Sequence, residues 1–299
     1  AIMSHRTCTA GRLRRFRFIA LTGFLVLTAM FAHFPCGASA SDEAMYFPSG
    51  NLYPPYAADV HRIGFGVQWL NFTDTQIPDS GDTRIGIRAG GRFGIARLSS
   101  EGQGGRAWQF DVEGGFNAQF DVDHSLDNIG WDGRYGLSVA TAKSDRLAFK
   151  FGVLHDSSHV GDEYMERTGR TRIGYTRHEL AAGVSWRPVE RFRTYAEGAW
   201  GYELSNKELQ EPGRGQFGVE YESPPCLWSG RMSWYAAADF SAMEERGWRL
   251  DYSMQAGHVI HAAGRTWRFG ADWYSGRPPI GEFFQYTERY LGLGMMIDL

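Results

Sequence analysis

Residues 108–120 constrain the fold more than any other stretch. Trp108, Phe110, Val112, Gly114, Phe116, Ala118 and Phe120 alternate without a break with Gln109, Asp111, Glu113, Gly115, Asn117 and Gln119. In a strand, side chains two apart share a face, so one face is apolar and the other polar and charged. Thirteen residues of such alternation exceed the usual soluble strand. They match the length needed to cross a bilayer at a tilt. The charged face is too polar to pack against a soluble core. A membrane β-barrel, with lipid on one face and an enclosed lumen on the other, satisfies both.

The same period runs from Ile63 to the last residue. Further strands are expected near 131–142, 147–159, 172–186, 193–204, 216–223, 231–240, 248–260, 266–274 and 288–299. With the stretches beginning at Ile63, Ile85 and Trp108, the expected fold is an all-β, transmembrane antiparallel β-barrel of about twelve strands, with ten or fourteen as alternatives. Short turns at 143–146, 187–191 and 261–265 alternate with longer loops at 72–82, 121–130, 160–171, 205–215 and 275–287. An even strand count puts both termini on the periplasmic side. Aromatic residues make up 15 % of the chain, and seven of the eight tryptophans from Trp131 onward, all but Trp228, sit mostly near expected strand ends, as in an aromatic girdle. A net charge of −3 gives no general attraction to nucleic acid.

The N-terminal segment reads as an export signal. Arg12, Arg14, Arg15 and Arg17 precede an apolar run from Phe18 to Phe34, and Ala38-Ser39-Ala40 is a small-x-small cleavage site. The expected organisation is a cleaved signal peptide over 1–40, a periplasmic lead-in over 41–62 broken by Pro48, Pro54 and Pro55, and a barrel over 63–299. Cleavage leaves Cys226 as the remaining cysteine, too few for a disulfide framework. The expected localisation is the outer membrane of a Gram-negative-type bacterium. The expected partners are outer-membrane lipid or lipopolysaccharide and the barrel assembly machinery. Arg84, Arg88 and Arg92, facing Asp111 and Glu113 across neighbouring strands, are expected to fill a narrow lumen with ion pairs.

One strand ends in chemistry. Phe149, Phe151 and Val153 share a face with His155, Ser157 and His159, and the chain continues Val160-Gly161-Asp162-Glu163-Tyr164. The alternating loops place this end high on the outer rim, and parity places His155 and Ser157 toward lipid. His155-Asp156-Ser157 resembles the His-x-Ser of outer-membrane phospholipase A and the lipid A 3-O-deacylases. That resemblance implies Ser157 as nucleophile and His155 as general base. The third member those enzymes carry on the next strand has no matching residue here; His178 and Glu179 are the candidates, with Glu179 pointing inward by parity.

Three stretches, Phe47 to Asp59, His155 to Tyr164 and Gly213 to Gly218, resemble a family of bacterial envelope proteins of unknown function (domain of unknown function 1207). The resemblance covers almost the whole chain after the signal and implies an outer-membrane barrel with no known activity. A metal site of His159, Asp162 and Glu163 is a further reading, with calcium favoured because loop carboxylates supply hard oxygen ligands. His155 and His159 lie about 13 Å apart on a straight strand, too far to share one ion. Arg167, Arg170 and Arg172 are candidates for contact with lipid phosphate, or equally for pairing with neighbouring acids. The two functional expectations are a rim site that hydrolyses lipid acyl esters and a non-enzymatic structural or narrow-channel barrel.

Overall fold

The computed structural model describes residues 42–100 and 106–298. The expected signal peptide, with Cys8 and Cys36, lies outside the described residues. β1 (Asp42–Tyr46) runs beside a barrel of twelve strands. These are β2 (Phe65–Thr75), β3 (Thr83–Ser100), β4 (Ala107–Asp121), β5 (Asp127–Ser144), β6 (Leu147–Val160) and β7 (Thr176–Val189). They continue with β8 (Phe192–Leu204), β9 (Gly213–Glu222), β10 (Ser233–Met243), β11 (Leu250–Ala262), β12 (Arg265–Gly276) and β13 (Glu288–Asp298). Each pairs antiparallel with the next, and β13 closes onto β2, so no barrel edge is left unpaired. Among the described residues, no helix is long and apolar enough to cross a membrane.

Parity holds around the ring. Trp69, Phe116, Phe149, Phe151, Leu180, Phe217 and Leu293 are exposed on the outside, while Gln68, Arg84, Arg88, Asp111, Lys150 and Glu197 are buried on the inside. The lumen is packed with charge. Lys150 and Arg214 share Glu197 at 2.7 and 2.9 Å, and Arg177 and Arg214 share Glu179 at 3.0 Å each. Arg134 grips Asp156 with two nitrogens, at 2.5 and 3.0 Å. The expected ladder forms in part: Arg92 pairs with Glu113, but the carboxylate facing Arg84 is Glu288 of β13, at 2.7 Å. A tilted barrel brings residues from distant strands to one lumen level, which sequence neighbourhood does not reveal.

The expected lead-in covers residues 41–62. Its part from 48 to 62 is irregular, as its prolines require, and threads into the lumen at the end where β2 begins and β13 stops. Tyr56 stacks on Tyr195 with ring centroids 3.9 Å apart and donates to Glu197 at 2.9 Å. Burial pushes the Tyr53 hydroxyl up to about 12. A segment without ladder bonds needs other partners for its backbone, and the barrel supplies them. Arg193 donates to the carbonyls of Pro54 (2.7 Å) and Pro55 (3.0 Å), and Glu220 accepts from Ala57 N (2.7 Å). Gly183 makes room: a Cβ there would stand 2.6 Å from the Tyr53 hydroxyl.

The opposite end is capped. The loop after β6 contains α1 (Asp162–Thr168), whose Tyr164 joins Ile77, Ile129, Val160, Ile280 and Phe283 in a buried apolar cluster. Between plug and cap, a space of about 30 Å³ remains among His61, Arg134, Asp156, Arg177, Glu179 and Arg214. A larger space of about 420 Å³ opens at the plug end, beside Gly50, Arg187 and His261.

Candidate functional site

The upper end of β6 carries two sets of residues on opposite faces. Its register with β5 sets Tyr135 against His155, Gly133 against Ser157 and Trp131 against His159. Its register with β7 sets His178 against His155 and Thr176 against Ser157. The outward face is therefore a patch of aromatic rings around Ser157 and Thr176.

Stacking fixes the rings. Tyr135 lies over His155 at 4.3 Å between centroids, and Trp131 over His159 at 4.2 Å. His178 meets His155 edge-on at 4.4 Å. His155 Nδ1 is 3.2 Å from His178 Nε2 and 3.4 Å from His178 Nδ1. Ser157 Oγ lies 3.0 Å from His159 Nε2. The serine thus partners the histidine two residues after it, not His155 two residues before it. Either is geometrically open, since both flank Ser157 on one face. Here His155 is drawn sideways to Tyr135 and His178, while Trp131 holds His159 over the serine.

Of the two candidates for a third member, His178 joins the patch through His155. Glu179 does not: it is buried in the lumen between Arg177 and Arg214, as its parity predicts.

The inward face of the same stretch fastens the cap. Ser158 Oγ donates to Asp132 and accepts from Glu282 N at 2.8 Å. Asp132 also accepts from Gly281 N, at 3.0 Å. Glu282 is fully buried and accepts from the N–H groups of Ile173 (2.8 Å), Gly174 (2.8 Å) and Tyr175 (3.2 Å). Gly161 donates to Ile129 O at 3.0 Å, and a Cβ on it would stand 1.7 Å from Asn128 O, so no other residue fits. Tyr164 donates its hydroxyl to Pro78 O. Four residues of the stretch His155–Tyr164, namely Ser158, Val160, Gly161 and Tyr164, thus hold the cap.

His159, Asp162 and Glu163 are not brought together. Among the described residues, no group of three or more His, Cys, Asp or Glu is arranged to hold a metal ion. Asp162 instead faces Arg172 at 2.9 Å. The three arginines have protein partners. Arg167 pairs with Asp127 at 2.8 Å; Arg170 donates to Glu282 O at 2.8 Å and lies over the Phe283 ring. Of the two ion-paired arginines Arg172 is the more exposed, with 48 % of its side chain open against 26 % for Arg167. Glu282 is the residue that sequence reasoning missed. It lies more than a hundred positions from the backbone it caps, and only the closed ring reveals the contact.

Solved structures share this architecture. Phospholipase A from the outer membrane of Escherichia coli aligns with a TM-score of 0.53 at 9 % identity, over 79 % of this chain and 90 % of that one. The Salmonella typhi outer-membrane phospholipase, solved as a dimer with bound calcium, aligns at 0.52 and 10 % identity over the same shares, 79 % and 90 %. At such identities the likeness is one of fold: an outer-membrane-type barrel. No curated protein matches the sequence. One family model, described as protein of unknown function (DUF1207), matches residues 35–298.

Proposed function

The chain belongs to the DUF1207 family, and we propose that it is an outer-membrane barrel with a filled lumen whose rim hydrolyses acyl esters of membrane lipids. The observation that carries this reading is the outward-facing contact of 3.0 Å between Ser157 Oγ and His159 Nε2. A serine hydroxyl that donates to a neutral imidazole is the starting arrangement for nucleophilic attack on an ester carbonyl. His159 takes the hydroxyl proton as the Oγ–carbon bond forms. It returns that proton to the departing alkoxide as the ester C–O bond breaks, leaving an acyl-serine. Water then attacks the acyl-serine, giving one proton to His159, and the serine is regenerated with release of the fatty acid. Trp131 stacked on His159 holds the ring, in the place where related logic uses a hydrogen-bonded orienter.

The substrate class follows from position. A site on the lipid face reaches esters without extracting the lipid from the bilayer. The local resemblance of His155-x-Ser157 to outer-membrane phospholipase A and lipid A deacylases points to the same substrate class, though it implies His155 rather than His159 as the base. Arg172, half open beside the rim, is the proposed contact for a lipid phosphate. The test is ester release from detergent-dispersed phospholipid and, in a parallel arm, from lipopolysaccharide. Ser157→Ala and His159→Ala are expected to lose about a thousandfold or more of the rate, as removal of a catalytic pair member does. Wild-type release by Ser157→Ala ends the hydrolase reading. Loss in His155→Ala with full activity in His159→Ala moves the base to His155, with His178 behind it.

A second reading, a purely structural barrel, is favoured by one observation: Ser158, Gly161 and Tyr164 serve the cap rather than a substrate. It predicts no ester release from either lipid. A narrow channel has less support, because plug, ion pairs and cap occupy the lumen. Silence in planar bilayers is the expected result, and steady single-channel steps would revive it.

A further inference from the structure

The geometry points to a binding site for a borderline divalent cation, of the zinc or copper kind, formed by His155 and His178 on the outer face of the barrel. It is separate from the Ser157–His159 pair and does not rest on the hydrolase reading. Four observations support it.

The two histidines sit directly opposite each other on neighbouring antiparallel strands. Backbone pairing, not a flexible loop, therefore sets their separation. His155 Nδ1 stands 3.2 Å from His178 Nε2. Two nitrogens bound to one tetrahedral zinc, each at about 2.0–2.1 Å, lie about 3.3 Å apart. The strands hold the donors at about the separation that chelation needs; because His155 Nδ1 lies almost equally far from both His178 nitrogens, at 3.2 and 3.4 Å, the His178 ring must turn to aim one of them at a shared ion.

The neighbours are suitable. Tyr135 stacks on His155 and Tyr202 lies 5.9 Å from the His178 ring, restricting both rings from the sides. Glu203, exposed on β8 and paired in register with His178, adds negative charge that His155 feels.

Imidazole nitrogens select zinc, copper or nickel over calcium and magnesium, which prefer oxygen. With two protein donors, the remaining positions fall to water or to an oxygen of a second solute. This arrangement differs from the His159, Asp162 and Glu163 grouping, whose members are apart.

Copper(II) is the probe, because it binds such donors most tightly in its series and reports them directly. The full chain, folded in detergent micelles and checked by heat-modifiable migration, is titrated with copper(II) and followed by electron paramagnetic resonance. One ion per chain with nitrogen hyperfine structure from two imidazoles is expected. His155→Ala and His178→Gln, the latter keeping a polar side chain in place, are each expected to lose the two-nitrogen pattern and to weaken binding by about tenfold or more, one donor being gone. His159→Ala is expected to keep both. Zinc in large excess is expected to compete with copper for the same site. The site is overturned if no stoichiometric ion binds, if His155→Ala and His178→Gln bind copper as the wild type does, or if His159→Ala alone abolishes binding.

Discussion

The two faces of β6 near its C-terminal end are built from the same few residues, yet they answer to different demands. Inward, Asp156 is gripped by Arg134 and Ser158 is held between Asp132 and Glu282. Each group there is committed to barrel and cap. Outward, His155, Ser157 and His159 contact each other, His178 and two stacked aromatic rings. None of them ties distant parts of the chain together. A strand that alternates faces can therefore carry architecture and chemistry in one decapeptide, and a motif spanning both need not be read as one site.

Substitutions can break that contrast or sharpen it. The largest effect is expected inside the barrel. Glu179→Ala leaves Arg177 and Arg214 buried beside a lost carboxylate, and removing one partner of a buried pair costs about 3–5 kcal/mol. A shift in urea midpoint of the detergent-folded barrel measures it. Glu282→Gln comes next: three backbone N–H groups lose a charged acceptor, a loss of about 1.5–3 kcal/mol. Its signature is faster proteolysis of residues 161–175.

Acidification is a third inward effect. His61 is enclosed between plug and lumen, and burial, then Arg277, Arg134, Arg88 and Arg214, hold it well below its ordinary value. Its neutral form is favoured in the fold, so the unfolded chain binds the extra proton first. The stability it contributes is present above the ordinary value of 6.5 and is lost as pH falls below it. Amide protection factors in residues 48–62, corrected for the slower intrinsic exchange at low pH, are expected to fall between pH 7 and pH 5, and His61→Gln is expected to flatten that response.

The smallest effects belong outside. His155→Ala and His159→Ala are expected to change stability by no more than about 0.5 kcal/mol, as for positions without burial-critical partners, whatever they do to ester release or copper binding. A cost there matching that of Glu179→Ala would erase the distinction between the faces.

Much of the barrel was legible because its signal is local. The alternation from Trp108 to Phe120 announces a two-solvent strand by itself, and twelve such stretches set the ring. Parity also placed Ser157 outward and Glu179 inward correctly. The partner of Ser157 was not legible, because a strand offers two equivalent neighbours on one face and stacking from the next strand decides between them. The plug was hidden for a different reason. Tyr53, Pro54, Pro55 and Tyr56 read as a broken lead-in, and their partners Arg193, Glu197 and Glu220 are more than a hundred residues away. The Arg84–Glu288 pair escaped for the same reason.

Asp298 sits at the end of the closing strand. It receives Arg62 from the plug at 2.8 Å and Arg268 from β12. The plug is made before any barrel strand, and Asp298 arrives with the last one. The closing seam between β13 and β2 and the plug therefore meet at one carboxylate, so the stability of one is coupled to that of the other. A ring that closed around an empty lumen would keep the Arg268–Asp298 pair between β12 and β13 but would leave Asp298 without Arg62.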